Sequence, residues 1–183
     1  EGIEKMYYQP YMYQCPRCAN ARMYNYGGPS GYWTYPAHTG TMTEQGSMEL
    51  KDYGPNPFTI NINEATKQNN TFRTALWSGT NLQVTLMSLR IGEDIGLEMH
   101  PDVDQFLRIE QGQGIVQMGK NKELLDSTVA ISDDSAIFIP KGTWHNVTNT
   151  GYSPLKLYSI YSPPNHPFGT VHQTKADAEK EHH

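Results

Sequence analysis

The 183-residue chain is 37% hydrophobic with a net charge of −5. That is enough for one domain with a real core, but the apolar share is below the globular norm, so part of the chain lies outside the core. The Lys and Arg residues are scattered and form no basic stripe, which argues against a nucleic-acid partner. No apolar run approaches the roughly 20 residues of a membrane-spanning helix, so no membrane role is expected. No signal-peptide pattern opens the sequence, and the expected compartment is the cytoplasm.

Residues 1–52 have a composition of their own. Tyr7, Tyr8, Tyr11, Tyr13, Tyr24, Tyr26, Tyr32 and Tyr35 are interspersed with Met6, Met12, Met23, Met42 and Met48 and with several glycines. Neither helical nor strand periodicity is present, so the segment reads as an extended arm. Its aromatics cannot bury themselves, which predicts that it covers a surface, most simply in a homodimer. Cys15 and Cys18 form a Cys-x-x-Cys pair, with His38 as a third candidate ligand. A structural zinc site wants four ligands, which a second subunit could complete; the favoured reading is two free thiols, or a disulfide in an oxidising compartment. The Tyr/Met composition also resembles spore-coat-associated proteins, which gives the spore coat as an alternative location.

The turn cluster Asp52–Pro57 marks a boundary, and residues 53–165 are expected to form one domain. Phe58–Ile62 reads as a strand, followed by a helical turn with Asn63 as N-cap. Thr71–Trp77 and Asn81–Ile91 are strands. In the second, the apolar phase shifts from Leu82, Val84 and Leu86 to Met87, Leu89 and Ile91, which predicts a bulge near Leu86–Met87. Further strands are Leu97–His100, Gln105–Glu110, Gly114–Met118, Leu124–Ile131, Ala136–Ile139, Thr143–Thr148 and Leu155–Ser162. Short strands separated by turns, without long amphipathic helices, give an antiparallel all-β domain. Residues 166–183 form a polar tail.

Two stretches stand out within this domain. Glu98 and His100 lie two residues apart and share a face on a strand. Pro101 and Asp102 turn the chain, and Gln105 opens the next strand. His145 follows the Pro140-Lys141-Gly142 turn. Glu98, His100, Gln105 and His145 can therefore converge on one divalent transition metal, with Asp104 as the alternative to Gln105. Mixed imidazole and oxygen ligands suit Mn, Fe, Co, Ni or Zn. Arg73 and Trp77 share a face on their strand and are candidate substrate contacts. Tyr158 and Tyr161 alternate, and Tyr158 is taken as the substrate-facing member. No Ser-His-Asp grouping or phosphate loop is suggested by spacing.

These stretches resemble the cupin superfamily. Pro140, Gly142, His145 and Asn149 match its Pro-x-Gly-x-x-His-x-x-x-Asn half, although Asp134 replaces the glycine that usually opens it. Gly92, His100 and Gly112 match the first half, where Glu98 stands in place of a histidine and Gln105 in place of an acid. The resemblance implies a jelly-roll barrel, a bound metal and a small-molecule ligand. Within it, the mannose-6-phosphate-isomerase-like group is the nearest in look. A sugar-like substrate and isomerase chemistry are therefore expected, with a metal-dependent dioxygenase or a non-enzymatic sugar- or metal-binding protein as alternatives.

Overall fold

The computed structural model describes residues 48–181. Nearly all of the Tyr/Met arm, with Cys15, Cys18 and His38, lies outside the described residues. The chain enters at Met48, and Met48, Leu50 and Tyr53 pack against a cluster of Ala65, Leu76 and Leu86. Tyr53 stacks on Phe58 at 4.2 Å between ring centroids.

The first helix, α1 (Ile62–Gln68), begins earlier than expected. Its N-cap is Asn61, whose side chain accepts from the Glu64 amide. Asn63 instead donates to the Glu110 carboxylate. Two capping-type residues stood two apart, and the apolar Ile62 between them joins the cluster around Leu86 once Asn61 caps. The strand expected at 58–62 reduces to a single bridge at Thr59. At the other end of α1 the Lys156 ammonium donates to Lys67 O, Asn69 O and Asn70 Oδ1 at 2.8, 2.6 and 2.8 Å.

Nine strands follow: β1 (Arg73–Ser78), β2 (Gln83–Leu89), β3 (Asp104–Gln111), β4 (Gln113–Gly119), β5 (Ser127–Ser132), β6 (Ala136–Ile139), β7 (Trp144–Asn149), β8 (Leu155–Ser162) and β9 (Val171–His172). They make two antiparallel sheets, ordered β6-β3-β8-β2-β1-β9 and β5-β4-β7. The expected all-β class holds, but the strands form two open sheets rather than one closed barrel. Met87, Leu107, Ile109, Leu155 and Leu157 from the larger sheet meet Val116, Ile131 and Val147 from the smaller one in a single core. The chain crosses between sheets at Gly112, whose φ is 97° and where a Cβ would lie 2.8 Å from Pro154 O. Only glycine fits that corner. The segment after residue 165 joins the fold. Val171 and His172 pair with Thr74 and Arg73, and Ala178 of α2 (Lys175–Glu181) is buried in the core. Two buried contacts on so short and polar a stretch leave no periodic signal.

The expected bulge is on the wrong strand. β2 pairs with β8 without interruption from Gln83 to Leu89. The irregularity lies on β1 between Ala75 and Trp77. β2 is covered on both faces, Met87 and Leu89 in the core and Val84 and Leu86 under α1. Apolar residues on both parities imitate a change of phase.

Candidate metal centre

Residues 92–100 run beside β7 through Gly92 N to Asn149 O, Asn149 N to Glu93 O and Ile95 N to Val147 O. The strand expected at Leu97–His100 is instead an isolated bridge at Glu98, because Gly96 with φ 91° and Pro101 break the extended run. That bridge is still what builds the site. Glu98 and His145 exchange backbone hydrogen bonds of 3.1 and 2.9 Å, so their side chains leave the same face directly opposite one another. His100 is tied to the following turn by its carbonyl, which accepts from Gly142 N at 2.7 Å. Gly142 holds φ at 76° there. Asp134, where the motif pattern wants glycine, carries the left-handed φ of 67° itself, a conformation that Asp tolerates.

Glu98 Oε1 lies 3.4 Å from His100 Nε2 and 3.4 Å from His145 Nε2. One ligand atom from each of the three residues falls within 4.8 Å of the others. The Nδ1–H of His145 donates to Thr143 O at 2.9 Å, which leaves the Nε2 lone pair directed at the cluster. Glu98 Oε1, His100 Nε2 and His145 Nε2 are buried and none makes a hydrogen bond. Buried polar atoms are ordinarily partnered. Three that converge with no partner outside the cluster, as a carboxylate oxygen and two imidazole nitrogens, are a donor set able to hold a metal ion. Burial alone would raise the Glu98 carboxyl; the two imidazoles and the Arg73 guanidinium outweigh it and hold the group well below the carboxylate range.

Gln105 is 3% exposed and faces the interior, with Nε2 donating to Ser159 Oγ at 3.1 Å and Oε1 unpartnered. Asp104 is exposed and accepts from Lys141 N at 2.9 Å, so it caps the turn before β7 and is not a ligand. Arg73 is buried beside the site. Trp77 is not with it: the bulge at Leu76 inverts the parity, Trp77 pairs with Val84 on the α1 side, and its Nε1 donates to Asn56 O. Tyr158 also faces α1 and packs on Phe106. Tyr161 is the one that faces inward, fully buried and edge-on to His100 at 5.8 Å.

Register divides the interior into two zones. Gln83, Tyr161 and Gln105 stand side by side across β2, β8 and β3, with Thr85 and Ser159 in the next row. Further along the same faces come Met87, Leu157 and Ile109, then Leu89 and Leu155. One end is polar and the other is core. The alternation Leu155, Leu157, Ser159, Tyr161 carried this signal in the sequence. A cavity of about 730 Å³ has Arg73, Glu98 and His100 in its wall together with Phe72, Ile95 and Ala178 of the core.

His166 stands edge-on to Tyr161 at 5.1 Å. Burial first, then Arg73, pushes its imidazole from 6.5 down to about 3. Between those values the unfolded chain holds the extra proton and the folded one does not, so stability falls as pH drops through that window. His166→Gln is expected to remove that part of the slope. Urea midpoints at about pH 7 and about pH 5 measure it; equal slopes for variant and parent contradict it.

The Cupin domain profile matches residues 85–161. The chain is 64% identical over 182 residues to the uncharacterized protein YrkC of Bacillus subtilis, covering 94% of this chain and 97% of the relative. It is 44% identical over 117 residues to the uncharacterized protein L612 of Acanthamoeba polyphaga mimivirus, covering 62% and 70% of the two chains. A crystal structure of a Bacillus halodurans protein superposes with a TM-score of 0.71 at 61% identity, covering 72% of this chain and 99% of that one. Among the described residues no helix is long and apolar enough to cross a membrane.

Proposed function

The chain belongs to the cupin superfamily, and from that footing we propose that it is a metal-dependent enzyme acting on a small, polar, sugar-like substrate, of the isomerase type. The observation that carries this reading is the convergence of Glu98 Oε1, His100 Nε2 and His145 Nε2, without other hydrogen-bond partners, beside a cavity whose wall includes Glu98 and His100. These three residues, with Gln105 Oε1 as the fourth donor, would hold one divalent cation. When bound, such a cation supplies Lewis acidity to a carbonyl or hydroxyl oxygen. The chain's own contribution is placement and proton handling. Thr143 fixes the His145 tautomer, and Arg73 stands in the cavity wall beside Glu98 and His100. Proton transfer between adjacent carbons needs a base outside the ligand set.

We further take the two sheets to be a jelly-roll scaffold of the mannose-6-phosphate-isomerase-like kind. We take the protein to be a cytoplasmic homodimer in which the Tyr/Met arm covers an interface. The test is a turnover screen of protein loaded with Mn, Fe(II), Co, Ni or Zn against aldose–ketose pairs. The expected result is interconversion that disappears in Glu98→Ala. Oxygen-dependent consumption of substrate would instead establish the dioxygenase. Lack of any turnover, with the arm required for a larger assembly, would establish a binding or coat protein.

A further inference from the structure

We infer that Arg73 is an oxyanion anchor, receiving a carboxylate or phosphate group of a small ligand whose other oxygens face the Glu98, His100 and His145 cluster. The second of these contacts rests on the metal reading; the first rests on Arg73 itself.

Arg73 opens β1 and pairs across to Met87 and His172. Met87 is a core residue, so this parity sends the Arg73 side chain inward. It is 2% exposed. A guanidinium so buried is ordinarily matched by a carboxylate, because an unmatched buried charge is costly. Among the described residues no ion pair includes Arg73. Its Nη1 makes one long contact of 3.5 Å to His172 Nδ1, and its Nε has no hydrogen-bond partner. The charge is nonetheless felt at Glu98, Tyr161 and His166, which places it among the polar groups of the interior.

The cavity that exposes Glu98 and His100 is also walled by Arg73, with Lys175 and Asn165 at its side. Lys175 is matched by Asp94 at 2.7 Å, so it brings no surplus charge. Arg73 shares the wall with Glu98 and Glu179, so without a cation the zone carries no positive excess. A divalent cation on Glu98 turns that balance positive, and the other interior polar groups, Gln83, Thr85, Gln105 and Ser159, are neutral. An anionic ligand offsets that excess. The flat fork of the guanidinium suits the paired oxygens of a carboxylate or phosphate, and Nε is one of the donors left open to it.

The test is calorimetric binding of malonate and of inorganic phosphate to the full chain, once loaded with Mn(II) and once metal-free, with metal content measured in parallel. Wild type is expected to bind at least one probe. Arg73→Gln is expected to weaken that binding roughly tenfold or more while its metal content stays at the wild-type level. Arg73→Lys keeps the charge without the fork and should fall between the two. Stronger binding of malonate assigns a carboxylate to the site, and stronger binding of phosphate assigns a phosphate. If Arg73→Gln does not fold, wild type against Arg73→Lys decides, and equal affinity overturns the inference. It is also overturned if neither probe binds wild type, or if Arg73→Gln binds as tightly. A wild type that holds no metal yet still binds a probe through Arg73 sinks the metal reading alone. A wild type that holds metal but no probe sinks only the anchor.

Discussion

Lys156→Met is expected to destabilise the protein by about 3 kcal/mol, a large share of a typical folding free energy. Lys156 is on β8 beneath the end of α1 and is 5% exposed. Its ammonium satisfies two carbonyls at the helix C-terminus, Lys67 O and Asn69 O, together with Asn70 Oδ1. A helix end leaves such carbonyls without intrahelical partners, and a cation there also opposes the negative end of the helix dipole. Methionine fills the same volume but strands the buried Asn69 carbonyl and takes the donor from two partly buried acceptors, Lys67 O and Asn70 Oδ1. Each costs ~1–3 kcal/mol, and the relief of not burying an ammonium offsets part of the sum. For a chain of this size the melting temperature should fall by about 6–12 °C. Lys67→Ala is the control, because the Lys67 side chain is exposed and only its carbonyl takes part. A melting temperature of Lys156→Met within about 2 °C of the parent would show that water or a shift of α1 replaces the ammonium.

The site was legible in the sequence where chemistry and backbone geometry demanded the same residue. Pro140, Gly142, His145 and Asn149 each do a job that few residues can do. Gly142 takes a positive φ, and His145 points its Nε2 at the cluster. Asn149 ties Leu89 O, Arg90 O and Ser153 O together while accepting from Gly151 N. Such residues leave a pattern of fixed spacing. Parity also served at β3, where Gln105 points inward and Asp104 caps a turn at the surface.

Parity failed where an insertion or a second buried face intervened. Trp77 was assigned to the same side as Arg73 because an unbroken strand puts them there, and one extra residue at Leu76 undoes that. The choice of Tyr158 over Tyr161 failed for another reason. α1 covers the outer face of β8, so both tyrosines are shielded and aromatic character alone cannot separate inside from outside. The neighbours do separate them, since Leu157 and Ser159 sit on the face of Tyr161 and continue its row across β2 and β3. The closed barrel was expected from family resemblance. Hydrogen bonding between strands is a matter of long-range pairing, which strand lengths and turns do not fix.

The largest effect expected at the site is on metal binding. His145→Ala should purify with far less than one equivalent of metal, and its affinity for an added divalent cation should fall by more than the roughly 10–100-fold that changes to outer-shell partners cost. His145 is the fully buried member of the cluster, its ring is oriented by Thr143 O, and its Nε2 has no other partner. Glu98 and His100 would remain 3.4 Å apart, with the Gln105 amide oxygen as the weakest of three remaining donors. The backbone exchange between Glu98 and position 145 does not depend on the side chain, so the strand geometry is retained. Gln105→Ala should cost less, because a neutral amide oxygen is the weakest of the four donors. Elemental analysis gives the bound equivalents. Thermal shift on adding Zn or Mn gives the relative affinity, since a cation at 100 times its Kd adds about 2.7 kcal/mol to the wild type. A His145→Ala protein that still carries a full equivalent, or melts with an undiminished metal-dependent shift, would mean that the cation is held elsewhere. Glu98, His100 and His145 would then form a buried polar cluster, with no role as ligands.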